Sequence, residues 1–265
     1  MYDFAYHKPA SVADAVKILA ADPDARAISG GMTLLPALKL RLNKPTSVVD
    51  LSGIAELRGV KREGDSLVIG ALTRHYEVAT SAEVAAAIPA LAKMAHTIGD
   101  TQVRNRGTMG GSVANNDPSA DYPAALLALN ATIQTDKRKL PADQFFTGMF
   151  TTALETGELV TAVHIPIPTK AGYAKMRNPA SRYSMAGVFV AKTAAGVRVA
   201  VNGAGANGVF REKAMEAALT ANWSPDAVAG VKVSPGLLNG DIHGSAEYRA
   251  HLITVMAKRA VIEAG

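Results

Sequence analysis

The sequence predicts an α+β fold in three parts: two consecutive α/β units, then a module in which strands precede helices. Three observations lead there. Short apolar strands alternate with helical periodicities over residues 1–168, glycine-rich segments fall where strands end, and residues 169–265 place two strands ahead of two helical patterns. At 265 residues with 48% hydrophobic content the chain is long enough for two or three small domains with a real core.

The first part, residues 1–56, opens with Ser11 as an N-cap before the helical spacing Val12, Ala15, Val16, Leu19. Ala27-Ile28 reads as a short strand entering a glycine turn, Leu34 to Leu42 as a helix, and Ser47 to Leu51 as a strand. A ligand turn at a strand's carboxyl end is the usual crevice of open α/β sheets. The second part, residues 57–168, holds a strand at Ser66 to Ala71, an alanine-rich helix from Glu83 to Ile98 and a short helix from Pro123 to Leu129. Two more strands follow, at Ala131 to Thr135 and Gly157 to Pro166. A boundary near Pro168 leads into the third part, residues 169–265. Its strands, Met185 to Lys192 and Gly196 to Asn202, are joined by a tight turn, and helices follow at Arg211 to Thr220 and Tyr248 to Ile262.

Two segments carry the chemistry, Ser29-Gly30-Gly31-Met32-Thr33-Leu34-Leu35-Pro36 and Arg104-Asn105-Arg106-Gly107-Thr108-Met109-Gly110-Gly111-Ser112. Paired glycines let the main chain approach a ligand and adopt positive φ, so consecutive N–H groups converge on an anion. Each segment adds a hydroxyl, Thr33 or Thr108, and together they suggest two backbone cradles for one diphosphate. Either alone reads equally well as a tight turn. No lysine follows the glycines as a Walker loop requires. Gly203-Ala204-Gly205-Ala206-Asn207-Gly208 matches the dinucleotide fingerprint only by spacing, with no acidic strand end about 20 residues on, so a glycine-rich strand end explains it better.

Net charge is +5, but the basic residues are scattered and only Lys137-Arg138-Lys139 forms a run, a solvated turn rather than a nucleic-acid surface. No stretch of 18 apolar residues and no secretory leader is visible. The absence of cysteine excludes disulfides and thiolate metal or iron–sulfur ligands within the chain. The six histidines lie far apart and no nucleophile elbow is present, so no catalytic side chain and no metal ligand is assigned, and a bound redox cofactor is expected to do the chemistry.

The run from Ile98 to Leu129, with Ser29 to Leu42, closely resembles the FAD-binding medium subunit of the molybdenum hydroxylases, the group of aerobic carbon monoxide dehydrogenase and the xanthine dehydrogenases. The resemblance extends from Asp3 to about Ala260. It implies a two-part FAD-binding domain of the vanillyl-alcohol-oxidase and cell-wall enolpyruvyl reductase superfold, with a C-terminal α+β domain. It also implies non-covalent FAD, with a molybdenum cofactor and 2Fe-2S clusters on separate large and small subunits, assembled as a dimer of heterotrimers in the cytoplasm. Electrons would enter from the iron–sulfur subunit and leave to an external acceptor such as a quinone, oxygen or NAD. A self-sufficient flavin oxidoreductase of the same superfold and a flavin-free assembly subunit stand as alternatives.

The resemblance further implies site residues. Amides of Gly30, Gly31, Met32, Thr33 and Leu34 would hold one side of the FAD diphosphate, and Thr108, Gly110 and Gly111 the other, with Ser112 as a further donor. The Asp121 carboxylate would accept from ribose hydroxyls, its competing role being a helix N-cap. Asn115, Lys175 and Tyr183 would approach the flavin, Tyr183 shielding the ring. The family's Gly-Asp before that aromatic is replaced here by Ser181-Arg182. Arg104 and Arg106 read as a phosphate grip or as anchors of the loop.

Overall fold

The computed structural model describes all 265 residues. The first part builds a three-stranded parallel sheet in which Ser47–Asp50 lies between Ala5–His7 and Arg26–Ile28. The helix Val12–Ala21 starts where Ser11 accepts the Asp14 amide at 3.1 Å, and buries Ala15 and Leu19. The expected helix after the first glycine turn runs Leu34–Lys39.

The second part is a five-stranded antiparallel sheet in the order Val60–Glu63, Ser66–Gly70, Val160–Pro166, Thr132–Thr135, Lys139–Pro141. Its helices depart most from the sequence expectation. The alanine-rich segment from Glu83 to Ile98 is two helices, Ala82–Ala87 and Pro89–His96. Pro89 cannot donate to the preceding turn and pushes Ile88 out of helical geometry, so it opens a new helix at its first position. The helices His75–Thr80, Thr101–Arg106 and Met109–Asn115 were not expected. The last begins inside the second glycine segment, where two glycines lower helix propensity.

In the third part the strands Lys170–Arg177, Ser184–Thr193, Gly196–Asn202 and Phe210–Arg211 form an antiparallel sheet. The first was missed because Gly172 and charged ends hide its alternation. Both faces of this sheet are covered, which explains the unbroken apolar run from Met185 to Ala191. Val188, Val190, Val199 and Val201 pack on the helices Lys213–Ala221 and Ala246–Ala264, while Phe189, Ala191 and Ala200 join the core of the second part. What fills that second interface is the helix Asp121–Ala128, every residue of which is buried. Arg198 reaches across to donate to its Leu127 carbonyl at 2.6 Å.

The long helix Ala246–Ala264 lies so close to the strand Lys170–Arg177 that a Cβ at Gly172 would collide with the Ala260 carbonyl. Gly172→Ala is expected to lower stability by about 1–3 kcal/mol, the usual range for overpacking. Urea unfolding of the variant beside the parent chain checks it, and unchanged stability would mean the helix rides higher than described.

Candidate functional site

The two glycine turns meet. Gly30 comes against the backbone of Arg106 and Gly107, so closely that a Cβ there would overlap the Arg106 carbonyl. The Ser29 and Thr108 hydroxyls lie 3.0 Å apart, and a side chain on Gly111 would fall 2.7 Å from Ser29 Oγ and 2.9 Å from Thr108 Oγ1. Gly31 has φ +74°, a conformation that disfavours any side chain.

In their free hydrogen-bonding groups the turns differ. The amides of Gly30, Gly31, Met32, Thr33 and Leu34 find no acceptor in the protein, and neither does the Thr33 hydroxyl. Five consecutive donors at the start of a helix are what an anion requires. The second turn spends its donors internally: Met109 donates to Thr73 O at 2.9 Å, Gly110 to Ala71 O at 2.8 Å, and Gly111 to Thr108 Oγ1 at 3.2 Å. The Gly110 and Gly111 amides are thus engaged within the protein. Their glycines serve close packing, Gly110 against Ala71 and Gly111 against Ser29. What the second turn presents is hydroxyls, Thr108 and the half-buried Ser112.

Beneath that turn sits His75, whose amide donates to Gly107 O at 2.9 Å. Its ring lies 5.3 Å from that of the fully buried Tyr122, and neither His75 Nδ1 nor the Tyr122 hydroxyl has a partner. Burial, and then the Arg104 charge, hold the imidazole down to about 4. The folded chain keeps His75 neutral while the unfolded chain titrates near 6.5. Stability therefore falls as pH drops from 6.5 to about 4 and levels off below that, the His75 contribution being about 3 kcal/mol. Unfolding measured from pH 7 to 4 should show this loss in the parent chain and a shallower one in His75→Phe.

Asp121 occupies the first position of its helix, with Ala120 as N-cap, so the capping role does not hold. Nor does its carboxylate stand open to a ribose: side-chain exposure is 6%. Lys175, 3% exposed, donates to Oδ2 at 2.8 Å and to Oδ1 at 3.0 Å, and the Tyr173 hydroxyl donates to Oδ1. Two residues assigned separate cofactor contacts thus satisfy one another. Together they pin the buried helix to the strand Lys170–Arg177. Removing one partner of a buried pair strands the other's charge, at about 3–5 kcal/mol. Asp121→Ala is expected to show that loss in urea unfolding, and Asp121→Ala with Lys175→Met to recover much of it. Equal losses would deny the coupling.

Asn115 is half-buried with no partner; the structural work is done by its neighbour Asn116, left-handed at φ +45°, whose amide side chain donates to Gly148 O and Thr151 O at 2.8 Å. Tyr183, 56% exposed, lines a cavity of about 330 Å³ with Asp117, Asn178, Ser184 and Arg249. In it Ser184 Oγ and Arg249 Nε are buried without partners, and burial raises the Asp117 carboxyl above the usual carboxylate range. Sequence reasoning missed this cavity. Arg249 carried a signal, for it stands on the apolar face of its helix with Leu252, Ile253 and Met256. Arg104 is an anchor, donating to Ile98 O at 3.0 Å, whereas the Arg106 side chain is exposed and unpaired. Gly203, at φ +82°, donates to Pro118 O at 2.7 Å, so the nucleotide-like glycine run is a junction turn.

Comparison with known proteins places this geometry. The family described as the FAD binding domain in molybdopterin dehydrogenase matches residues 2–168. The chain belongs to that family, the FAD-binding subunits of the molybdenum hydroxylases. It is 35% identical to the nicotine 6-hydroxylase medium subunit of Paenarthrobacter nicotinovorans, covering 98% of this chain and 96% of that one. It is 34% identical to the carbon monoxide dehydrogenase medium chain of Hydrogenophaga pseudoflava, covering 97% and 96%. Among solved structures, reconstituted CO dehydrogenase from Oligotropha carboxidovorans superposes with a TM-score of 0.91 at 32% identity, over 99% of this chain and 98% of that one. The relatives are named as single subunits of larger dehydrogenases and hydroxylases. Membership fits the α+β architecture with its FAD-binding part ahead of a C-terminal sheet. No helix of this family member is long and apolar enough to cross a membrane.

Proposed function

We propose that this chain holds FAD non-covalently as the flavin subunit of a molybdenum hydroxylase. In this reading it takes electrons from a 2Fe-2S subunit and passes them to an external acceptor, while substrate is oxidised at a molybdenum cofactor on a large subunit. The complex would be a dimer of heterotrimers in the cytoplasm. The observation that carries the reading is the row of five unpaired amides from Gly30 to Leu34, lying within the family's matched region.

The residues present fit the cofactor. A diphosphate accepts hydrogen bonds at many oxygens, and the first turn offers five N–H donors plus the Thr33 hydroxyl with no competing acceptor. The amides of Gly30 to Leu34 would hold the diphosphate, with the Thr108 and Ser112 hydroxyls meeting it from the second turn. When bound, FAD supplies electron transfer between the partner's clusters and the acceptor. Asn115 and Tyr183 would border the ring, and the Asp121–Lys175 pair would set the helix and strand that carry them. Tyr183 stands at the mouth of the 330 Å³ cavity, where it would limit solvent access to the ring.

The test is the cofactor released from the purified chain together with its co-purifying subunits, identified by mass and visible spectrum. FAD, with iron–sulfur and molybdenum subunits alongside, is the expected result. Gly31→Val should keep the fold and retain about tenfold less FAD, because a β-branched residue at φ +74° distorts the row of amides. A parent chain that takes up no flavin after reconstitution would overturn the reading.

A further inference from the structure

Three arginines from three separate segments converge beside the meeting point of the glycine turns. Arg58 follows the turn Ala55–Leu57, Arg74 precedes the helix His75–Thr80, and Arg106 ends the helix Thr101–Arg106. With Ser29, Ser52 and Thr108 they line a cleft of about 40 Å³. Arginines buried elsewhere in the fold are matched to carboxylates: Arg198 to Asp143, and Arg249 to Asp241 at 2.7 Å. The Arg74 and Arg106 guanidinium groups have no acceptor at all. Arg58 has one weak bond, to Ser52 O at 3.3 Å.

Neighbouring carboxylates are committed elsewhere. Asp50 accepts from the Tyr6 hydroxyl at 2.6 Å and the Ser52 amide at 2.8 Å, and Glu77 accepts from the Arg74 amide at 2.6 Å. Three arginines lining one small cleft concentrate positive charge there, which favours an anion between them. Forks and hydroxyls in that number suit a tetrahedral oxyanion with several oxygens better than a carboxylate with two.

We propose that Arg58, Arg74 and Arg106, with the Ser29 and Thr108 hydroxyls, form a side-chain site for a phosphate-class oxyanion. Ser29 and Thr108 belong both to this cleft and to the junction of the two turns. The oxyanion therefore has two sources, the diphosphate of the cofactor or free phosphate. The first source rests on the flavin reading; the second does not.

The experiment titrates inorganic phosphate by calorimetry into the full chain, with and without FAD, and measures FAD affinity in parallel. Phosphate should bind the flavin-free chain, and about tenfold or more weakly in Arg74→Gln and Arg106→Gln, the cost of one charge-assisted bond. Arg106→Lys should recover part of the loss by keeping the charge. Phosphate that competes with FAD, with both glutamine variants weakening FAD, assigns the cleft to the cofactor's diphosphate. Phosphate that binds equally in the presence of FAD assigns it to the free ion. Phosphate binding by a chain with no affinity for FAD would uphold the cleft and remove the flavin reading. Absence of phosphate binding together with parental FAD affinity in both variants would overturn the proposal and leave the flavin reading intact.

Discussion

Contact between the two glycine turns is the constraint on which the rest depends. Gly30 meets the backbone of Arg106, and Gly111 meets the hydroxyls of Ser29 and Thr108, with no room for a Cβ at either place. That contact brings the turn that leaves the parallel sheet at Ile28 against the turn between the helices Thr101–Arg106 and Met109–Asn115 of the second part. It also decides which groups remain free. The second turn is stitched to the segment Ala71 to His75 through the Met109, Gly110 and His75 amides, so its donors are consumed in holding position. The first turn is held by proximity and leaves its amides unpaired.

A second layer of organisation is the buried helix Asp121–Ala128. It forms a shared core between the flavin-binding part and the C-terminal sheet, and its polar start is neutralised by Lys175 and Tyr173 from that sheet. A buried ion pair adds little net stability over an apolar replacement, but it fixes register because either charge alone is costly. Here it fixes the strand Lys170–Arg177 against the helix, and with them the loop that carries Tyr183.

Reading the sequence worked where a signal is local. Ser11 before an apolar 3.6-residue period, the strand read from Ala131 to Thr135 and the first glycine pair after a short strand each depend on neighbouring residues, and each is found in the structure. It failed where local signals compete. Alanine content carried the expected helix across Pro89, and the glycines of the second turn hid a helix start. The pairing of Asp121 with Lys175 has no local signal at all.

The sequence by itself determined the α+β class and the family, because periodicity, glycine placement and motif order are written in the chain. Tertiary structure alone decided which amides stay free, that Asp121 answers Lys175, and that Arg58, Arg74 and Arg106 share a cleft with Ser29 and Thr108. Hydrogen-bond satisfaction and charge pairing depend on what lies opposite in space. Residues 50 apart in sequence carry no mark of being partners until the sheets are packed.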